Sequence, residues 1–301
     1  METIQNLKKD KNIVTIAPVL FSEVKGIFTD VSERGLAQEY ANVVNVYKIT
    51  YKSQGHNVNG FIFEPKEGKS LPCLILNRGG SDDFGQITLE KLFTHHARFA
   101  CAGYIVIASQ YSGCGGSEGK DEFGGNDIED VLNLYQILKS HPRANIKCIG
   151  MYGHSRGGMM TYRALALVKW IKAAVIISAP ADEVHAPAFR KGWAEHQKKM
   201  YGGKRKEQIK RSVLYWSEKV YKKAPTLLMH GSADWRVNLR DSIRVSERFC
   251  VERVPHRFIL FEGGDHTLSE YKSDVYEQSL DWFNRFVKNM EALPNLKPHG
   301  R

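Results

Sequence analysis

No apolar run in this chain approaches the roughly 18 residues that a membrane-spanning helix needs, so no membrane partner is expected. The longest early run, Ile13 to Phe21, follows Lys8-Lys-Asp-Lys11, whose acid does not suit the basic head of a secretory leader. Cysteine is sparse: there are five, Cys73, Cys101, Cys114, Cys148 and Cys250, scattered and without any CxxC spacing. An odd, scattered set indicates neither a disulfide framework nor a zinc site. Most of the five lie in or beside apolar stretches and read as small buried hydrophobes in a reducing cytosol, so a cytoplasmic location is expected. Cofactor motifs are missing too. The Gly-rich run Ser112-Gly-Cys-Gly-Gly-Ser-Glu-Gly119 lacks the Gly-Lys-Ser/Thr ending of a P-loop and the placement of a dinucleotide fingerprint. His95-His96 are adjacent and diverge on a helix, so neither a metal nor a cofactor is expected. The formal charge is +10. Its densest basic segment, Lys198 to Arg211, reads as a solvated helix face with no nucleic-acid motif beside it, so no nucleic-acid partner is expected.

What is present is a chain of 301 residues, 42% hydrophobic and 25% charged, enough for one sizeable core. From Val43 onward, strand-length apolar runs alternate with amphipathic helical stretches. Val46 to Tyr51 and Val58 to Phe63 flank Ser53-Gln-Gly-His-Asn57 and predict a β-hairpin. Strands are predicted at Leu71–Leu76, Tyr104–Ser109, Ile146–Met151, Ala173–Ser178, Thr226–His230 and Arg257–Phe261. Helices fall between and after them, across Ile87–Phe99, from Ile128 to Leu138, from Met159 to Leu167, across Leu239–Phe249 and across Val275–Asn289. This rhythm predicts an α/β fold with a mainly parallel central sheet and helices on both faces. Residues 1–42 form an N-terminal extension to a domain of residues 43–301, and Met1–Lys11 and Pro294–Arg301 read as loose ends. The polar stretch from Pro180 to Lys223 is too long for an ordinary connection and predicts a small helical insertion over about 181–223, placed as a lid on a substrate pocket.

Serine catalysis needs a nucleophile, a histidine to take its proton, a carboxylate to orient that histidine, and donors for the oxyanion. Gly153-His-Ser-Arg-Gly157 follows a predicted strand and opens a helix, as a nucleophile elbow does. Asp234 lies just past strand Thr226–His230, and His266 just past strand Arg257–Phe261, where parallel sheets collect reactive groups. Each alone has an ordinary explanation: a turn serine, a capping aspartate, a turn histidine. Together they keep the order Ser155, Asp234, His266 of α/β-hydrolases. Asp265 is a rival acid with a poorer position, and His154 is read as packing or pocket wall. The amide of Arg156, at a helix N-terminus, is the first expected oxyanion donor. The second is expected from Asn77-Arg-Gly-Gly-Ser-Asp-Asp83, with Gly80 preferred to Gly79.

Gly153-His-Ser-Arg-Gly-Gly158, His230-Gly-Ser-Ala-Asp-Trp-Arg-Val237 and Gly264-Asp-His266 resemble the catalytic domain of the prolyl oligopeptidase (S9) family of serine peptidases, an α/β-hydrolase group. Tyr111–Val131 and Tyr201–Lys223 resemble the same domain, so the likeness spans about residues 45–290. It implies Ser155 as nucleophile, Asp234 as acid and His266 as base. Full members carry an N-terminal β-propeller, whereas roughly 40 residues precede the hydrolase fold here, so no propeller is expected, and Asn77-Arg-Gly-Gly stands where His-Gly-Gly is common. The expected activity is therefore acyl-enzyme hydrolysis of a small ester, amide or short peptide. The alternatives are a carboxylesterase without peptidase activity and, from another class, a catalytically silent binding protein. A homo-oligomer is compatible with the sequence.

Overall fold

The computed structural model describes residues 2–300. The chain divides into two compact units: one runs to Asp121 and resumes over Asp127–Ile149, and the other takes Glu122–Asn126 and everything from Gly150.

In the first unit, strands β1 (Ile13–Pro18), β2 (Val44–Ser53), β3 (His56–Pro65), β4 (Leu71–Asn77) and β5 (Ile105–Ser109) lie in the order β1-β2-β3-β5-β4. The predicted hairpin is present and longer than expected, pairing Ser53 with His56 at its turn and Val44 with Pro65 at its far end. β3 runs antiparallel to β5, whereas β4 runs parallel to β5. All of β5 is buried, as its unbroken apolar run requires.

The N-terminal end departs from expectation. Glu2–Leu7 is a helix, α1, and Leu7 is fully buried. Met1 and Arg301 lie outside the described residues. Helix α2 spans Val31–Val43, with the Asp30 carboxylate accepting from the Glu33 amide at its N-cap. The helix expected across Ile87–Phe99 is broken into Leu89–Lys91, a π-helical turn Leu92–His96 and Ala97–Cys101. On that turn His95 Nδ1 meets Thr94 Oγ1, while the His96 ring stacks on Phe63.

Glu64, on β3, anchors α1. Its carboxylate accepts from Thr3 Oγ1 at 2.9 Å, Tyr47 OH at 2.8 Å and Arg143 Nη2 at 2.7 Å. Burial alone would raise this carboxyl, but the contacts from His141, Arg143 and Tyr47 outweigh it and hold it down to about 2.

In the second unit, β6 (Ala144–His154), which starts in the first unit, is followed by β7 (Ile171–Ile177), β8 (Thr226–Gly231) and β9 (His256–Phe261), in the order β6-β7-β8-β9. β7–β8 and β8–β9 are parallel pairs. Helix α3 (Arg156–Leu167) packs on β7, α4 (Trp193–Tyr201) lies in the predicted insertion, α5 (Leu239–Glu252) packs on β8 and β9, and α6 (Lys272–Phe283) packs on β7 and β8. α5 shows why these segments are helices. Asn238 caps it by accepting from the Arg240 amide, Asp241, Val245 and Phe249 fall on one buried face at four-residue spacing, and Arg253 ends it in the left-handed region. The stretch between β7 and β8 holds two further short helices, Ala186–Phe189 and Arg205–Lys210, and two 3-10 turns.

Replacing Glu64 with Gln removes the anion that ties α1, β2 and β3 together. Since the folded pKa lies below the unfolded one, its stabilisation is present above about pH 4.5 and lost as pH falls through about 2. Urea unfolding should show Glu64→Gln about 2 to 3 kcal/mol less stable than wild type at pH 7. The difference should shrink steadily as the pH is lowered toward 2.

Candidate active site

The second unit carries the serine elbow, the acid loop and the histidine loop. Ser155 sits between β6 and α3 with φ of 56° and ψ of −124°, a conformation that costs a non-glycine residue energy and turns its side chain out of the strand. Its amide donates to the Ile177 carbonyl at 2.8 Å, fixing the elbow to the end of β7. The turn is tight enough that a Cβ on Gly153 would lie 2.2 Å from the Gly157 carbonyl oxygen, so the first glycine of the motif is a steric requirement.

The acid and histidine loops are stitched to each other. Ala233 N donates to Gly264 O at 3.0 Å, Ser232 N to Phe261 O at 2.9 Å and Gly263 N to Ser232 Oγ at 2.7 Å. A Cβ on Gly231 would stand 2.1 Å from the Gly264 carbonyl oxygen, so the two backbones can meet only there as glycine. This contact brings the side chains together. His266 Nδ1 lies 2.8 Å from Asp234 Oδ2, and His266 Nε2 lies 2.9 Å from Ser155 Oγ. With Asp234 ionised, Nδ1–H donates to the carboxylate, and Nε2 accepts from the serine hydroxyl.

Asp234 is almost wholly buried, which would raise its carboxyl. The donors around it reverse that. Oδ2 also lies 3.1 Å from His230 Nε2, while Oδ1 accepts from the amides of Arg236 at 2.8 Å and Val237 at 3.0 Å. The net effect, led by His230 and His266, holds Asp234 well below the usual carboxylate range. Asp265, the rival acid, instead closes its own loop by accepting from Thr267 and Ser269.

Two neighbouring histidines have contacts that the motif alone does not disclose. His230 is fully buried and approaches Asp234 from the side opposite its link to Ser242 Oγ, 2.7 Å from its Nδ1. The sequence signal was the His-Gly-x-x-Asp spacing at the end of β8. His154 donates from Nε2 to the His266 carbonyl at 2.8 Å, so it braces the histidine loop rather than serving only as wall. Burial, with the nearby His266 adding to it, pushes the His154 ring down to about 4 and keeps it neutral at neutral pH.

Arg156 follows the serine. Its amide lies in the first turn of α3, and its side chain is fully buried with the guanidinium 5.2 Å from the Phe123 ring centre. Phe123 is held in this unit by arginines: Arg211 Nε donates to its carbonyl at 2.9 Å, and Arg163 Nη1 donates to the carbonyls of Gly124 and Gly125. Gly79 and Gly80 belong to the first unit, where Arg78 gathers their loop by donating to Gly79 O, Phe84 O, Asp82 O and Gln110 O. Of the expected oxyanion donors, Arg156 lies in the same unit as Ser155, Asp234 and His266.

Ser155 borders a cavity of about 240 Å³ whose walls include Phe123, Phe189, Trp193, Val237 and the acids Asp182 and Glu183. Asp182 is paired with Arg244 Nη1 at 2.7 Å and with His185 Nδ1 at 2.8 Å. Among the described residues no cluster of three His, Cys, Asp or Glu could hold a metal ion, and no helix is long and apolar enough to cross a membrane.

The family model described as the Prolyl oligopeptidase family matches residues 91–290. The chain belongs to the prolyl oligopeptidase family. The chain is thus a peptidase-like serine hydrolase with the α/β-hydrolase fold. It is 30% identical over 211 residues to "Uncharacterized peptidase YtmA" of Bacillus subtilis, a match covering 68% of this chain and 79% of that protein. It is 20% identical to "Dipeptidyl-peptidase 5" of Schizosaccharomyces pombe, covering 80% of this chain and 37% of that one. In fold, it matches the acylaminoacyl peptidase of Pyrococcus horikoshii with a TM-score of 0.75 at 23% identity, over 89% of this chain and 45% of that one. Beyond YtmA, then, the chain spans less than half the length of these relatives.

The Gly231–Gly264 contact predicts that Gly231→Ala separates the acid from the histidine. A displacement of about 1 Å costs on the order of 100-fold in rate. We expect kcat/KM to fall by about that factor with KM little changed, measured on any turned-over ester. Unchanged kcat/KM would mean that the two loops do not depend on this close approach.

Proposed function

We propose that this protein hydrolyses a small ester, amide or short peptide through an acyl-enzyme on Ser155, with His266 as general base and then general acid, and Asp234 as the orienting acid. The observation that carries the reading is the unbroken hydrogen-bond chain Ser155–His266–Asp234, with links of 2.9 Å and 2.8 Å. Serine at its own pKa is a poor nucleophile, so the proton must leave as the Oγ–C bond forms. His266 Nε2 takes it. The imidazolium so produced is stabilised by an Asp234 carboxylate kept anionic by its other donors. The tetrahedral oxyanion is met by the Arg156 amide at the start of α3, where the helix end favours negative charge. Collapse of the intermediate transfers the proton from His266 to the leaving alcohol or amine. Water, activated by His266 in the same way, then releases the acid and restores Ser155.

The cavity supports the small-substrate part of the reading. At about 240 Å³ it is smaller than the roughly 300 to 1,000 Å³ of pockets for drug-sized ligands, and it suits one residue-sized group. The peptidase names of the relatives favour amide over ester bonds as the natural target.

Ser155 should react with a fluorophosphonate, and Ser155→Ala should not. Hydrolysis should fall about 10⁴- to 10⁶-fold in that variant, and about 10⁴-fold in Asp234→Asn, which leaves the imidazole in the wrong tautomer. A panel of p-nitrophenyl esters and aminoacyl or peptidyl anilides would then divide esterase from peptidase. Labelling that survives Ser155→Ala, or turnover indifferent to it, would show that another residue is the nucleophile.

A further inference from the structure

One acid in the cavity wall is not accounted for by the triad. Glu183 lies in the segment after β7 and is fully buried. Its Oε2 is crowded with donors from α4: Trp193 Nε1 at 2.9 Å, Gln197 Nε2 at 2.9 Å and Tyr201 OH at 3.0 Å. Its backbone is fixed as well, with the amide donating to Ser212 Oγ at 2.8 Å and the carbonyl accepting from Gln197 at 2.6 Å. Gln197 in turn is oriented by Gln208, whose amide donates to its Oε1 at 2.8 Å. The carboxylate therefore cannot swing. Yet Oε1 has no hydrogen-bond partner among the described residues, although it is buried.

A fixed buried carboxylate with one oxygen unmatched is costly, because burial strips its water and only half of the loss is recovered. Burial pushes this carboxyl above the usual range in spite of the three donors. Holding α4 occupies Oε2 alone. Arg211 and Arg190 act on this carboxylate through space, but no hydrogen-bond donor of the described residues reaches Oε1, and Glu183 lines the cavity beside Ser155.

Arg211 directs its donors to Phe123 O, Glu122 O and Glu207, and the other charges around that cavity do not reach Oε1. Arg244 is paired with Asp182. Arg190 stacks over Trp193 at 4.3 Å. Arg236 lies over Trp235 at 4.9 Å, and Arg240 is exposed. Asp241 accepts from the amides of Ala181 and Asp182.

We propose that Glu183 determines specificity: its unmatched carboxylate oxygen accepts from a protonated amine on the acyl portion of a substrate held at Ser155. This inference rests on the acyl-enzyme reading above. The amine has two sources, the α-amine of an unblocked aminoacyl group and the ammonium of a basic side chain. The shared chemistry is an ammonium carried by the acyl group.

Matched p-nitroanilides test the proposal. Leucyl anilide against its N-acetyl derivative reads the α-amine, and N-acetyl-lysyl against N-acetyl-norleucyl anilide reads the side chain. A charged hydrogen bond of this kind is worth about 10- to 100-fold. Wild type should prefer the ammonium member of one pair by about that factor, and Glu183→Gln, which keeps an acceptor for α4, should abolish the preference. The readout is the ratio within a pair, which a merely structural role for Glu183 would not move. A wild type that is labelled by fluorophosphonate but treats both pairs alike overturns the proposal and leaves the triad reading standing. So does a Glu183→Gln variant that keeps the preference, and so does a preference for an N-succinyl over an N-acetyl anilide, which would mean that the arginines read the substrate. A wild type that is neither labelled nor active sinks the triad reading, and the inference falls with it.

Discussion

Keeping the Asp234 carboxylate ionised while removing it from water is the constraint around which the second unit is arranged. An anion in that position needs donors from several directions, and no single element can supply them. Strand β8 provides His230 at its end, the turn after it provides the amides of Arg236 and Val237, and the loop after β9 provides His266. Moving β8 and β9 apart would break this set, and the Gly231–Gly264 approach holds them in register. The serine elbow is tied in from the other side, by Ser155 N on β7 and by His154 on the carbonyl of His266. The second unit thus presents its polar chemistry at the ends of adjacent parallel strands, backed by the buried apolar runs Ala173–Ile177 of β7 and Leu227–Met229 of β8.

The alternation of strands and helices was legible because buried parallel strands must be continuous apolar runs and helices must repeat every three to four residues. The site residues were legible for a related reason. Ser155, Asp234 and His266 lie in short loops directly after such strands, so chain order alone fixes their neighbourhood, and the family likeness adds their order. His230 escaped notice because a histidine ending an apolar strand looks like a core residue. Its role is set by a carboxylate four positions on. Glu183 escaped because its partners, Trp193, Gln197, Tyr201 and Ser212, lie in an insertion whose path no periodicity fixes. The N-terminal helix was misread for the converse reason: six residues carry too little pattern to separate a helix from a loose end, and only the distant Glu64 gives Thr3 something to bind.

Arg156 shows how a charge directly after the nucleophile is absorbed. Its guanidinium is buried and lies against the Phe123 ring, which supplies an electron-rich face in place of water. A lysine at that position would present a more strongly hydrated point charge and a poorer stack.

Phe123 belongs to a five-residue excursion, Glu122–Asn126, that joins the second unit while the chain on either side of it belongs to the first. Its carbonyls are gripped by Arg163 and Arg211, which come 38 to 89 residues later in sequence. During synthesis this wall of the cavity emerges before either of the cations that seat it. Cutting the chain at Gly150 would take the Gly124 and Gly125 carbonyls from Arg163 and the Glu122 and Phe123 carbonyls from Arg211, leaving Arg211 its contacts with Glu207.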